Sequence, residues 1–216
     1  MELRALVAAG VFVLCLLVGC QPTPPVPATA TPASAVVEPS PLADASDCRA
    51  RIEAIKLDDV NAIDDVDECR FIDGGAQAAS DVLAAGGSRD QLWAAVWVYG
   101  SSGTDPAPLR PMLSNADASI RVMAAAALVR LGDSTGLAEL ETALADPDYV
   151  VGSYPPLTVA AFAELTLSRY VSGVDAPNGP SATSDTGALV SAWQAWLADH
   201  RACLVFDASK GEWAAP

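Results

Sequence analysis

The side chains with chemistry to offer are five cysteines, one histidine and a dense run of carboxylates. The cysteines stand at positions 15, 20, 48, 69 and 203, and none forms a C-x-x-C pair. With His200 the sole imidazole, a zinc site lacks ligands, and no metal centre is expected. A cysteine nucleophile would need a base, and only His200 is on offer. Asp58, Asp59, Asp64, Asp65, Asp67 and Glu68 could suggest calcium, which takes several oxygen ligands. The D-x-[DN]-x-[DN]-G spacing with a Glu in twelfth place is missing, so a solvated acidic face is expected instead. G-x-S-x-G, the phosphate-binding G-x-x-x-x-G-K-[ST] and G-x-G-x-x-G are all lacking, and Ser101-Ser102-Gly103 stands in no nucleophile elbow. Glu139 and Glu141 read as surface charges, and His200 as a residue facing the C-terminal dipole of a helix. Trp93 and Trp97, at i and i+4, form an aromatic stripe. It is either core or an interaction surface for a sugar or peptide. Neither a catalytic set nor a cofactor set emerges, so the expectation is a protein that is not an enzyme.

Charge narrows the partners. A formal charge of −15, from 27 acidic and 12 basic residues, repels nucleic acid and anionic lipid. No nucleic-acid partner is expected.

The chain opens MELRALVAAGVFVLCLLVGC. Arg4 precedes a hydrophobic run, Ala5 to Val18, which is short for a membrane span of about 20 residues. Leu17-Val18-Gly19-Cys20 resembles the lipobox of bacterial lipoproteins. That resemblance implies a signal peptide over 1–19, cleavage before Cys20, and acylation of the Cys20 thiol. Acyl chains rather than a helix would then hold the protein to the membrane. Gln21 follows the cysteine rather than Asp, which in such lipoproteins favours the outer membrane if the cell has two. In an exported chain Cys48 and Cys69 can pair, closing a loop that stabilises by about 3 kcal/mol in the chain-entropy model. Cys203 is then left over, or it takes one of these two as its own partner.

Residues 20–45 are rich in Pro, Ala, Thr and Ser and have little to bury. They read as a disordered tether, extended at about 3.1 Å per residue where stiff. The folded region is expected over 46–216, with Ser46 capping a helix that carries Ile52 and Ile55.

Its centre is Asp117 to Asp148. Ile120, Met123, Ala124, Ala127, Leu128 and Leu131 follow i, i+3, i+4, i+7, i+8, i+11, one face of a helix. Gly132 supplies a stop, Asp133, Ser134 or Thr135 a new cap, and Leu137, Leu140 and Leu144 a second helix. Leu113, Asp117, Ile120-Arg121, the alanines, Leu128 and Leu131-Gly132-Asp133 resemble a HEAT-like repeat. Upstream, Ser88 and Gln91 fit a capping box, and Leu92 to Gly100 aligns with the central helix at a shift of about 32 residues. Downstream, Pro155-Pro156 opens a helix through Leu157, Ala161, Phe162 and Leu165. Trp193 and Trp196 lie on a last helix before a tail that ends near Trp213, and the tail resembles those that close HEAT-like proteins.

The expected fold is therefore all-α: a short α-solenoid of HEAT-like antiparallel helix pairs with a C-terminal capping helix and extended tail. The expected function is a membrane-anchored scaffold or adaptor that binds an envelope protein, with no cofactor. The alternative is an envelope lipoprotein that binds a small ligand or metal.

Overall fold

The first helix starts earlier than the hydroxyl of Ser46 suggests. In the computed structural model, which describes residues 44–58, 60–153, 156–177 and 186–215, Asp44 is the N-cap of α1 (Ala45–Ala54). Its Oδ1 accepts from the backbone N–H of Ser46 at 2.8 Å and of Asp47 at 3.2 Å. A carboxylate outcompetes a hydroxyl here because it also meets the positive end of the helix dipole. The lipobox, Cys20 and nearly all of the tether lie outside the described residues, as do Asp59 and 178–185 of the loop before the last helix. The described residues belong to one unit, Ser40–Pro216.

After α1 come α2 (Val60–Asp67), a 3₁₀ turn (Glu68–Phe71), α3 (Gly75–Ala85) and α4 (Arg89–Ser102). A second 3₁₀ turn (Arg110–Ser114) leads to α5 (Ala118–Arg130) and α6 (Thr135–Ala143). Then follow α7 (Val159–Tyr170), β1 (Val171–Ser172), α8 (Thr186–His200), a 3₁₀ turn (Arg201–Cys203), β2 (Val205–Asp207) and β3 (Glu212–Ala214). The fold is all-α with a small sheet at its C-terminal end. No helix of the described residues is long and apolar enough to cross a membrane. Helix α3 packs on α4, α4 on α5, α5 on α6 and α7, and α7 on α8.

Helix α5 is the hub. Asp117 caps it, accepting from Ser119 N at 2.8 Å and Ile120 N at 3.3 Å. Ile120, Val122, Met123, Leu128, Val129 and all but one of its four successive alanines are buried. A helix that is apolar nearly all round must sit between others. Its end is a Schellman motif: Asp133 N bonds Leu128 O at 2.9 Å, and Gly132 N bonds Val129 O at 3.1 Å. Gly132 takes φ +77°, and a Cβ there would lie 2.5 Å from Phe206 Cδ1, so both backbone and space demand glycine. Ser134 holds the N-cap position of α6 without a side-chain bond, and Asp133 just before it does the capping: its Oδ1 accepts from Thr135 N at 3.0 Å and Thr135 Oγ1 at 2.6 Å.

The capping box of α4 is present, with Gln91 N on Ser88 Oγ and Ser88 N on Gln91 Oε1. The helix does not stop at Gly100. It continues to Ser102, where Gly103 N bonds Tyr99 O at 2.7 Å. Gly100 serves close packing instead, since a Cβ there would fall 2.9 Å from Ala127 Cβ.

Helix α7 departs from the expected reading twice. It begins at Thr158, whose Oγ1 caps Ala161 N at 3.1 Å, rather than at the prolines. It also buries Val159, Ala163, Glu164, Thr166 and Leu167, not the face carrying Phe162 and Leu165. The expected extended tail forms β2 and β3, which join β1 in a three-stranded sheet of order β1-β3-β2, with β1 parallel and β2 antiparallel to β3. It presses Trp213 inward, and Trp213 Nε1 donates to Val129 O of α5 at 2.9 Å. Trp193, on α8, is wholly buried and donates to Ser168 Oγ of α7 at 3.3 Å.

Candidate functional site

A groove of about 460 Å³ runs between α4, α5 and α7. Its floor is made of small residues, Gly100, Ala126 and Ala127, where α4 and α5 meet closely. One wall is Trp97 and Val96 on α4; the other is Phe162, Leu165 and Tyr170 on α7. Leu165 is 41% exposed, a large apolar side chain left facing solvent. This explains the unexpected face of α7: Phe162 and Leu165 line the groove while Leu167 and Ala163 fill the core.

Three arginines, Arg70, Arg130 and Arg169, line the same groove, and among the described residues no carboxylate does. Arg70 is balanced. It pairs with Asp67, whose other oxygen accepts from Trp97 Nε1 at 2.8 Å, so one carboxylate fixes both groups. The Arg70 guanidinium lies over the Trp97 ring at 5.2 Å and over Phe71, itself 80% exposed, at 5.1 Å. Arg130 donates from Nε to Gly100 O at 2.8 Å and from Nη2 to Gly103 O at 2.9 Å. These are carbonyls at the C-terminal end of α4, where the helix dipole is negative. Arg169 is exposed and lies over the Tyr170 ring at 5.4 Å.

The stripe of Trp93 and Trp97 is divided by the structure. The two rings stack, 6.0 Å between centroids and 13° between planes. Trp93 is nevertheless core, 4% exposed, with Nε1 on Val151 O at 2.8 Å. Only Trp97 reaches the groove. The loop after Asp148 covers Trp93, a tertiary event that helical spacing cannot report.

Cys48 on α1 and Cys69 on the first 3₁₀ turn are fully buried, neighbouring thiols. Burial, then the neighbouring Cys48, pushes the Cys69 thiol well above its ordinary range. A thiol held protonated is a poor nucleophile and a poor metal ligand. Cys203 is exposed and lies beyond α8, whereas the other two are buried.

Three carboxylates of the acidic run, Asp65, Asp67 and Glu68, are engaged in ordinary contacts. Arg51 lies within 4 Å of Asp47, Asp65 and Glu68, and Asp67 holds Arg70 and Trp97. Among the described residues no group of three or more His, Cys, Asp or Glu side chains gathers as a metal site. Glu139 meets Arg121 at 3.1 Å, and Glu141 meets Arg201. His200 stacks on Trp196, and its Nδ1 lies 2.8 Å from Trp196 O at the end of α8.

Sequence reasoning missed Arg130 and Arg169, because an arginine's lack of a carboxylate partner is visible only in three dimensions. Comparison with protein-family models, curated proteins and solved structures returns no match.

Proposed function

We propose that this is a lipid-anchored bacterial envelope protein whose helical domain binds a second protein and carries out no reaction of its own. The observation that carries the reading is the groove between α4, α5 and α7. It joins exposed apolar surface, an ordered tryptophan and cationic side chains, the residue types that dominate binding energy at interfaces. The packing order of α4, α5 and α7, with α6 and the second 3₁₀ turn against α5, fits a short HEAT-like array whose first helices share one face. The lipobox Leu17 to Cys20 supports a thioether-linked diacylglycerol on Cys20, the Pro-rich segment a tether, and Gln21 the outer membrane. The burial of Cys48 and Cys69 as neighbours supports a disulfide in an oxidising compartment. A groove of about 460 Å³ also falls within the small-ligand range of about 300–1,000 Å³, which keeps ligand binding as the second reading.

The test places a photo-reactive p-benzoylphenylalanine at Leu165 in cells. One envelope protein cross-linked there, and lost when Cys20→Ser releases the chain from membranes, is the expected result. Membrane retention of Cys20→Ser would overturn the anchor. A variant that labels no protein at Leu165 would overturn the scaffold.

A further inference from the structure

We infer, resting on that reading, that the groove seats a partner segment in which a carboxylate stands beside an apolar side chain, with Arg130 and Arg169 receiving the carboxylate. The argument is a census of charge. The described residues contain nine arginines. Seven of them, Arg49, Arg51, Arg70, Arg89, Arg110, Arg121 and Arg201, have a carboxylate within 4 Å. The two that have none among the described residues, Arg130 and Arg169, line the same groove. In a chain with 27 acidic side chains against 12 basic ones, an arginine without an acid is the exception, and two sharing one cavity is a pattern.

Arg130 is held in place by the carbonyls of Gly100 and Gly103, which fix its plane without neutralising it. Its Nη1 donates to no group among the described residues. A planar fork positioned in this way and lacking its acid matches a carboxylate. Charge alone would be met by any anion. The rest of the wall is Trp97, Phe162 and Leu165, which asks for an apolar body next to the charge. With Leu165 on its wall 41% exposed, the groove opens to solvent rather than closing over a small molecule. An extended segment fits that opening, and the remainder of the acidic surface would repel an acidic partner that missed it.

The experiment selects a random heptapeptide display library against the full lipidated chain in detergent micelles, then measures recovered peptides by fluorescence anisotropy. Asp or Glu next to an aromatic or branched aliphatic residue should be enriched. Arg169→Glu should weaken these peptides by at least about tenfold, the scale of one lost charge-assisted contact. Arg49→Glu, on α1 and outside the groove, should not. Arg130→Lys keeps the charge but loses the fork, and should weaken them less than Arg169→Glu does. Dodecanoate is the competing probe. If it binds in an Arg169-dependent manner while no acidic peptide is recovered, the occupant is a small amphiphile and the inference fails. Recovery of basic peptides, or binding indifferent to Arg169→Glu, also overturns it. A protein cross-linked at Leu165 alongside any of these failures would leave the scaffold reading standing and remove only the acidic–apolar segment.

Discussion

The two ends of the helical stack are closed by opposite means. The C-terminal end is closed by large rings: Trp193, Trp196 and Trp213 are buried, and a short sheet brings the chain back onto the end of α7. The N-terminal end is closed by short helices that bury aliphatic side chains such as Ile52, Val66 and Val82 with two small thiols, and by surface ion pairs around Arg49 and Arg51. A wide aromatic buries much area in one step and needs no partner beyond one acceptor for its N–H. Small thiols bury little, and exposed ion pairs contribute about 0–1 kcal/mol each. One end is secured by wide aromatic rings, the other by smaller apolar side chains that a Cys48–Cys69 bond would reinforce.

The difference can be tested at its extremes. Trp213→Ala should be the most damaging change, costing about 3–5 kcal/mol in urea unfolding, because it empties the centre of the cap and frees Val129 O. If it cost less than 1 kcal/mol, the C-terminal cap would not be the stronger end. At the other end, oxidation should raise stability by about 3 kcal/mol over the reduced chain, with Cys48→Ala/Cys69→Ala insensitive to reductant. Mass spectrometry with and without alkylation after reduction reads the bond directly. Equal stability of oxidised and reduced protein would leave the N-terminal end secured by packing alone.

Between the ends, two cap carboxylates make acid sensitivity a property of the hub. Burial raises both Asp117 and Asp133, but hydrogen bonds outweigh it and their carboxyls sit below the ordinary 3.8. Asp117 is held by Arg89 and the Ile120 and Ser119 amides, and Asp133 by Thr135 and Arg110. A depressed folded value means the stabilisation is complete above the unfolded range and drains away as pH falls through the folded one. Asp133→Asn should therefore flatten the loss of melting temperature below pH 3.8 and cost about 1 kcal/mol at neutral pH. An unchanged acid limb would rule this source out. The smallest effect belongs to the groove: Arg169→Ala should move stability by less than about 0.5 kcal/mol in thermal melts, since Arg169 has no carboxylate to lose.

Much of the helical plan was legible because it rests on local signals. The capping box at Ser88, the stop at Gly132 and the periodicity of α5 each need only neighbours in sequence. The sheet was not, because β1 pairs with β3 across the whole of α8, and strands of two or three residues show no alternation. Helix α7, VAAFAELTLSRY, is apolar on several sides, so periodicity could not tell the core face from the groove face. The groove needed α4, α5 and α7 together, and its two decisive arginines are defined by what does not stand beside them. Trp97 was singled out by spacing, yet the same spacing nominated Trp93, which the loop through Val151 takes into the core.

The clash between a side chain at Gly132 and the ring of Phe206 carries a consequence for descent. Across relatives of this chain the two positions should be inherited as a single unit. Position 132 should hold glycine wherever the tail strand keeps an aromatic at 206, and a lineage that loses the tail releases 132 only to residues such as asparagine that accept its positive φ.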